Sequence, residues 1–135
     1  MMRAERFAAV GGAILGLSVV LIGASLTHDM HASFDLATIR SYDTAARYQM
    51  YHALGLLLLA ALGGKLRSKL FRLIPYLWFL GVMLFSGPIY LNVFAGISSI
   101  SLLTPIGGVL IIIGWALLIV AAISWASGKP RKHKK

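Results

Sequence analysis

Apolar residues in this chain come in long unbroken tracts, not in the alternation of a strand or the narrow stripe of a soluble helix. No Asp, Glu, Lys or Arg occurs from Phe7 to Leu26, and none occurs from Leu73 to Gly128. A helix needs about 20 apolar residues to cross the hydrocarbon of a bilayer. The first tract therefore holds one crossing, over residues 7–26. The second is long enough for two, over about 73–95 and 104–126, divided at Gly96-Ile97-Ser98-Ser99-Ile100-Ser101. A shorter tract between Arg47 and Lys65 is read as a further crossing, over about 46–64. Tyr48, Gln49 and His52 lie in its first part, so that end is expected to be buried against protein or wet. The pattern predicts an all-α membrane protein, a four-transmembrane-helix bundle forming a single domain over residues 1–128.

Local signals refine the element ends. Ser33-Phe34-Asp35-Leu36-Ala37-Thr38-Ile39 is read as a short interfacial helix, and Asp43 as the N-cap of a helix starting at Thr44. Thr104 is read as the N-cap of the last helix, with Pro105 in its first turn. Gly87-Pro88 removes a backbone donor inside the third crossing and is expected to kink it. Residues 129–135 form a basic tail expected to be disordered. The first apolar run exceeds the 7–15 residues of a signal-peptide core, which favours a retained helix over a cleaved one.

Charge adds orientation. Only 13% of the 135 residues are charged, against about 25% in a soluble domain. With four crossings, the N-terminus, the middle loop and the tail share one side, and they hold eleven of the thirteen Lys and Arg. The positive-inside rule then makes both termini cytoplasmic. Trp78 and Trp125 are expected in the headgroup layer of that face. The net charge of +9 flanks apolar segments, so anionic lipid headgroups are the expected partner of Lys65, Arg67, Lys69, Arg72, Lys129, Arg131 and Lys132, with no nucleic-acid module in evidence. There is no cysteine, which excludes disulfides, thiolate catalysis and Cys-based metal sites.

The same topology gathers uncharged polar groups in the outer half of the bundle: His28, Tyr48, His52, Ser86, Tyr90, Asn92 and Thr104. Two readings compete. The groups hydrogen-bond one another and lock the helices, at about 0.6 kcal/mol per bond. Alternatively they line a pocket for a lipid headgroup, a quinone or another polar ligand. His28 and His52 supply at most two metal ligands, short of the usual three, so no metal or cofactor is expected. Gly12 and Gly16, in a GxxxG spacing, and Gly107 and Gly108 are candidate helix-packing positions. Thr104-Pro105-Ile106-Gly107-Gly108 at a helix start is only a weak anion signal.

Five segments carry a resemblance: Tyr42-Asp43-Thr44-Ala45, Tyr48 to Leu54, Phe85-Ser86-Gly87-Pro88-Ile89-Tyr90, Thr104 to Gly108, and Gly114-Trp115. In order and spacing they resemble the YgdD/YwdK family of small bacterial inner-membrane proteins, which also has an animal branch. The chain departs from that pattern in two places. Members commonly read Gly-Ala-Phe-Gly-Ala-His where this chain has Gly23-Ala24-Ser25-Leu26-Thr27-His28, and Pro88 stands where they have a second Ser. The resemblance implies the four-helix fold and the bacterial plasma (inner) membrane, and supplies no activity. The expected function is a non-enzymatic accessory or assembly component of a membrane complex. The alternatives are a small oligomeric transporter or channel and a lipid- or quinone-binding bundle. An enzyme is not expected, because no nucleophile with an adjacent base stands within the apolar tracts.

Overall fold

A computed structural model describes residues 3–26, 33–66 and 68–128. His28, Arg67, and the tail with Lys129, Arg131 and Lys132 lie outside the described residues. Among the described residues, four long helices make up the fold: α1 (Arg3–Leu26), α2 (Leu36–Leu62), α3 (Ile74–Ala95) and α4 (Leu103–Ala126), with a 3-10 turn, Phe71–Leu73, leading into α3.

The start of α2 differs from the sequence expectation. Asp35 is its N-cap, in extended conformation, and its carboxylate accepts from the backbone N–H of Thr38 at 2.9 Å. The nearby Thr38 hydroxyl and this backbone bond hold the Asp35 carboxyl below its ordinary pKa. Asp43 is therefore no cap but an exposed residue inside α2, and the expected interfacial helix at 33–39 is largely the first turn of the same element. The physical reason is plain: a capping Asp already stands at 35, and Leu36 to Asp43 contains neither Gly nor Pro to interrupt the helix.

α4 begins one residue before Thr104, which is no N-cap either. The Ser98–Leu103 turn closes with bonds from Ser101 to Ser98, Leu103 to Ile100 and Thr104 to Ser101 (3.0–3.2 Å). These satisfy the donors that a cap would otherwise meet. α3 ends at Gly96, whose φ of 67° is left-handed and open to glycine without a steric penalty. Pro88 sits inside α3, buried, and the helix runs on to Ala95.

Contacts between elements fix an antiparallel arrangement. α2 packs against α1 and α3, while α4 lies on α3. The core is Ala8, Leu15, Ala53, Leu56, Ile74, Trp78, Val82 and Ile111 with their neighbours. Trp78 is 1% exposed, so it is a core residue, not the headgroup anchor expected of it; Trp125 is exposed. An indole beneath His52 and Trp115 gains more from packing than from the interface.

Outside the core the surface is apolar. Val10, Ile14, Leu17, Leu58, Leu80, Ile112, Ile119 and Ile123 are all more than half exposed. Helices apolar on their outer as well as inner faces belong in hydrocarbon. α1, the segment Phe71–Ala95 and α4 are long and apolar enough to cross a membrane. α2 has the length but carries Arg40, Asp43 and Arg47 in its first half.

Candidate functional site

Two polar knots hold the helices together. The first centres on Gln49, which is 4% exposed. Its amide nitrogen donates to the Leu15 carbonyl (3.0 Å) and to Ser18 Oγ (2.7 Å) on α1. Its Oε1 accepts from the Tyr90 hydroxyl on α3 (2.7 Å). One side chain of α2 thus ties both neighbouring helices. Ser86, 2% exposed, adds a bond from Oγ to the Ala45 carbonyl (2.8 Å). The Tyr90 ring packs between Tyr42 and Phe94, with centroids at 6.0 and 6.2 Å.

The second knot lies one turn further along α2. His52 is 2% exposed. Its Nδ1 is 2.7 Å from the Tyr48 carbonyl, which can only accept, so that nitrogen carries the proton. Nε2 then accepts from the indole N–H of Trp115 on α4 (3.1 Å). Trp78 lies edge-on to the imidazole (centroids 5.2 Å) and packs on Trp115 (4.6 Å), and its own N–H donates to the Ile111 carbonyl (3.3 Å). Both ring nitrogens of His52 are engaged, and this arrangement fixes the neutral Nδ1–H tautomer.

Small residues allow these approaches. A side chain at Gly107 would collide with the backbone of Gly81, Leu84 and Phe85, and one at Gly114 with the Trp78 indole. A Cβ at Gly12 would fall 2.8 Å from the Ala53 carbonyl. Gly16 and Gly108 differ: a Cβ there would meet only ordinary contacts, 3.9 Å from Ala53 and 3.7 Å from Phe85.

Of the polar residues singled out in the sequence, the structure brings Ser86 and Tyr90 into the Gln49 knot and His52 into the Trp knot. Thr104 donates to the Phe85 carbonyl at 3.3 Å and ties α4 to α3. Tyr48 meets the second knot through its carbonyl, but its side chain lies outside the hydrogen bonds of both, 41% exposed, with its ring on Phe85 and stacked beside His52 (centroids 5.0 and 6.3 Å). Asn92 is also outside them, in a groove of about 450 Å³ between the start of α2, the end of α3 and the start of α4. Gln49 as hub, Ser18, Trp78 and Trp115 were not selected from sequence. A lone hydroxyl at 18 and a lone carboxamide at 49 were visible, but their pairing depends on the α1–α2 register, which no local pattern gives. Lys65, Lys69 and Arg72 are all exposed at the end of the bundle where α2 stops and α3 starts.

The combination of four apolar helices, a core locked by hydrogen bonds and an apolar exterior defines a small helical membrane protein. Residues 22–108 match the family described as "Protein of unknown function (DUF423)". The chain is 36% identical to UPF0382 membrane protein YwdK of Bacillus subtilis (strain 168) over 115 residues, covering 84% of this chain and 94% of that protein. A UPF0382 membrane protein of Haemophilus influenzae is 35% identical over 106 residues, covering 78% and 85%. One from Staphylococcus aureus (strain bovine RF122 / ET3-1) is 35% identical over 115 residues, covering 85% and 93%. The chain belongs to the DUF423 family, and the resemblance to YwdK-like proteins holds. No solved structure matches it.

Proposed function

We propose that this protein is a non-enzymatic accessory or assembly component of a membrane complex, crossing the bacterial plasma membrane four times with both termini in the cytoplasm. The observation that carries the reading is the engagement of the core polar groups. Gln49, Ser86, Tyr90, His52 and Trp115 all direct their donors at other groups of the chain. Acid–base or nucleophilic chemistry needs a group held ready for a substrate, and these are held by each other. A quinone carbonyl needs a donor, and the donors of both knots are in use.

Register supports the fourth crossing. α2 meets α1 along the length of both helices: Tyr42 beside Gly23, Gln49 at Ser18, Ala53 at Gly12, and Gly63 at Glu5. A helix paired so completely with α1 lies at the same depth in the bilayer. Its 27 residues span about 40 Å, enough to cross about 30 Å of hydrocarbon and leave Arg40 outside. On the cytoplasmic side, Lys65, Lys69 and Arg72 would hold anionic headgroups at about 1 kcal/mol each.

The test is gentle extraction of the tagged chain from its own membrane, followed by native mass spectrometry. A stoichiometric protein partner is the expected result; a solitary monomer across mild detergents and nanodiscs would overturn the assembly reading.

A further inference from the structure

Among the described residues, the groove of about 450 Å³ at the outer end of the bundle has walls rich in polar side chains. Thr38 and Ser41 come from α2, Asn92 from α3, Ser101 from the turn before α4 and Thr104 from its first turn. Pro88, Ile89 and Val93 supply an apolar wall. Its size lies within the ~300–1,000 Å³ of small-molecule sites, and so does the mix of apolar wall and few polar groups. Among the described residues, none of its lining is charged.

Hydrogen-bond directions select the ligand. Ser41 Oγ donates to the Ala37 carbonyl (3.1 Å), and Thr104 Oγ1 donates to the Phe85 carbonyl (3.3 Å). Each of these hydroxyls has used its one proton and keeps lone pairs. The lining therefore offers acceptors at Ser41 and Thr104 and donors at the Asn92 carboxamide and the Ser101 hydroxyl. A phosphodiester or a quinone brings acceptors alone, so it could use the Asn92 and Ser101 donors but would leave the Ser41 and Thr104 oxygens unmet. An anion would also find no cation in the lining. A group with several hydroxyls donates to the spent oxygens and accepts from Asn92.

We propose that this groove binds an uncharged polyhydroxyl group, a sugar, carried by an outer-leaflet lipid whose chains run down past Pro88 and Ile89. The proposal rests on the four-crossing topology, which sets the groove at the outer interface.

The full chain is reconstituted in nanodiscs with equal amounts of diglucosyldiacylglycerol, diacylglycerol and phosphatidic acid, and retained lipid is read by native mass spectrometry. The expected result is glycolipid retained about tenfold over either competitor, the scale of one or two satisfied polar groups. Ser41→Leu, which fills the groove from an exposed helix position, and Asn92→Leu each bring the ratio towards one, while Asn92→Gln restores it. Displacement by free maltose also supports the site and assigns it to the sugar alone. Retention without sugar preference, preference for phosphatidic acid, or a glycolipid preference unchanged in both leucine variants overturns it. Separately, Ser99→Cys is treated with a membrane-impermeant maleimide in intact cells. Failure to label refutes the topology and the groove with it, whereas labelling without glycolipid retention refutes the groove alone.

Discussion

Removing the Tyr90 hydroxyl strands Gln49 Oε1 without its partner, and that asymmetry decides what a substitution costs. An interhelical hydrogen bond in a membrane protein contributes about 0.6 kcal/mol on average and rarely more than about 1.7. Leaving a buried acceptor unmet costs about 1–3 kcal/mol. Tyr90→Phe is thus expected to cost about 1 kcal/mol or slightly more, and Gln49→Leu, which breaks three bonds at once, about 2 kcal/mol or more. Thermal unfolding of both singles and the double in one detergent gives their coupling; additivity within error would mean that the 2.7 Å Tyr90–Gln49 contact contributes nothing. His52 has a spectroscopic reporter beside it. His52→Ala removes the acceptor of the Trp115 N–H and opens a hole against Trp78, so a loss of about 2–4 kcal/mol and altered tryptophan emission are expected together. Unchanged emission would mean that the imidazole does not hold the two indoles.

Between helices, steric fit outweighs the hydrogen bonds. Gly107→Ala drives a methyl into the backbone of α3 at Gly81, Leu84 and Phe85, none of which is the free end of a flexible side chain. Overpacking of this kind costs about 1–3 kcal/mol. Its neighbour is the control: Gly108→Ala meets only Phe85 at 3.7 Å and is expected to be near neutral. Melting temperatures of the two variants test the packing directly, and equal effects would show that α3 and α4 are not so closely apposed. At the other end, Asp35 starts α2. Its folded pKa is depressed, so its stabilisation is fully present above the ordinary carboxylate pKa and is lost as pH falls through the lower folded value. Asp35→Asn keeps a cap but is expected to abolish that acid-range loss, read as hydrogen exchange in the first turn of α2 at pH 6 and pH 3; the same acid dependence in the variant would assign it elsewhere. These cases also show what the sequence could and could not reveal. Charge-free tracts announced three of the helices, since solvent alone imposes that pattern. The cap at Asp35 was missed because Asp43 is equally good chemistry, and only the uninterrupted helix between them decides. Gly12 and Gly107 were legible as small residues. Which glycines meet backbone depends on crossing points, so Gly16 and Gly108 looked the same as their partners.

For the whole molecule, the crossing number turns on α2, the helix with the least apolar sequence and the most polar contacts. Three apolar helices alone would leave the termini on opposite sides. Yet a three-pass arrangement would lay α2 outside the hydrocarbon, and its packing supports the proposed fourth crossing instead. Ala53 touches Gly12 in the middle of α1, and His52 meets Trp115 in the middle of α4. Withdrawing α2 from the bilayer would expose the hydroxyls of Ser86 and Tyr90 to hydrocarbon with no partner, at several kcal/mol per group. Both ends of the chain are therefore expected on one side. The absence of native cysteine makes the experiment clean, because each introduced thiol is the sole reporter. Ser68→Cys and a cysteine added after Lys135 should both resist an impermeant reagent in whole cells and react in inverted vesicles. A terminus that reacts from outside while Ser68→Cys stays protected would give an odd number of crossings, and the Gln49 and His52 knots could not then form as described.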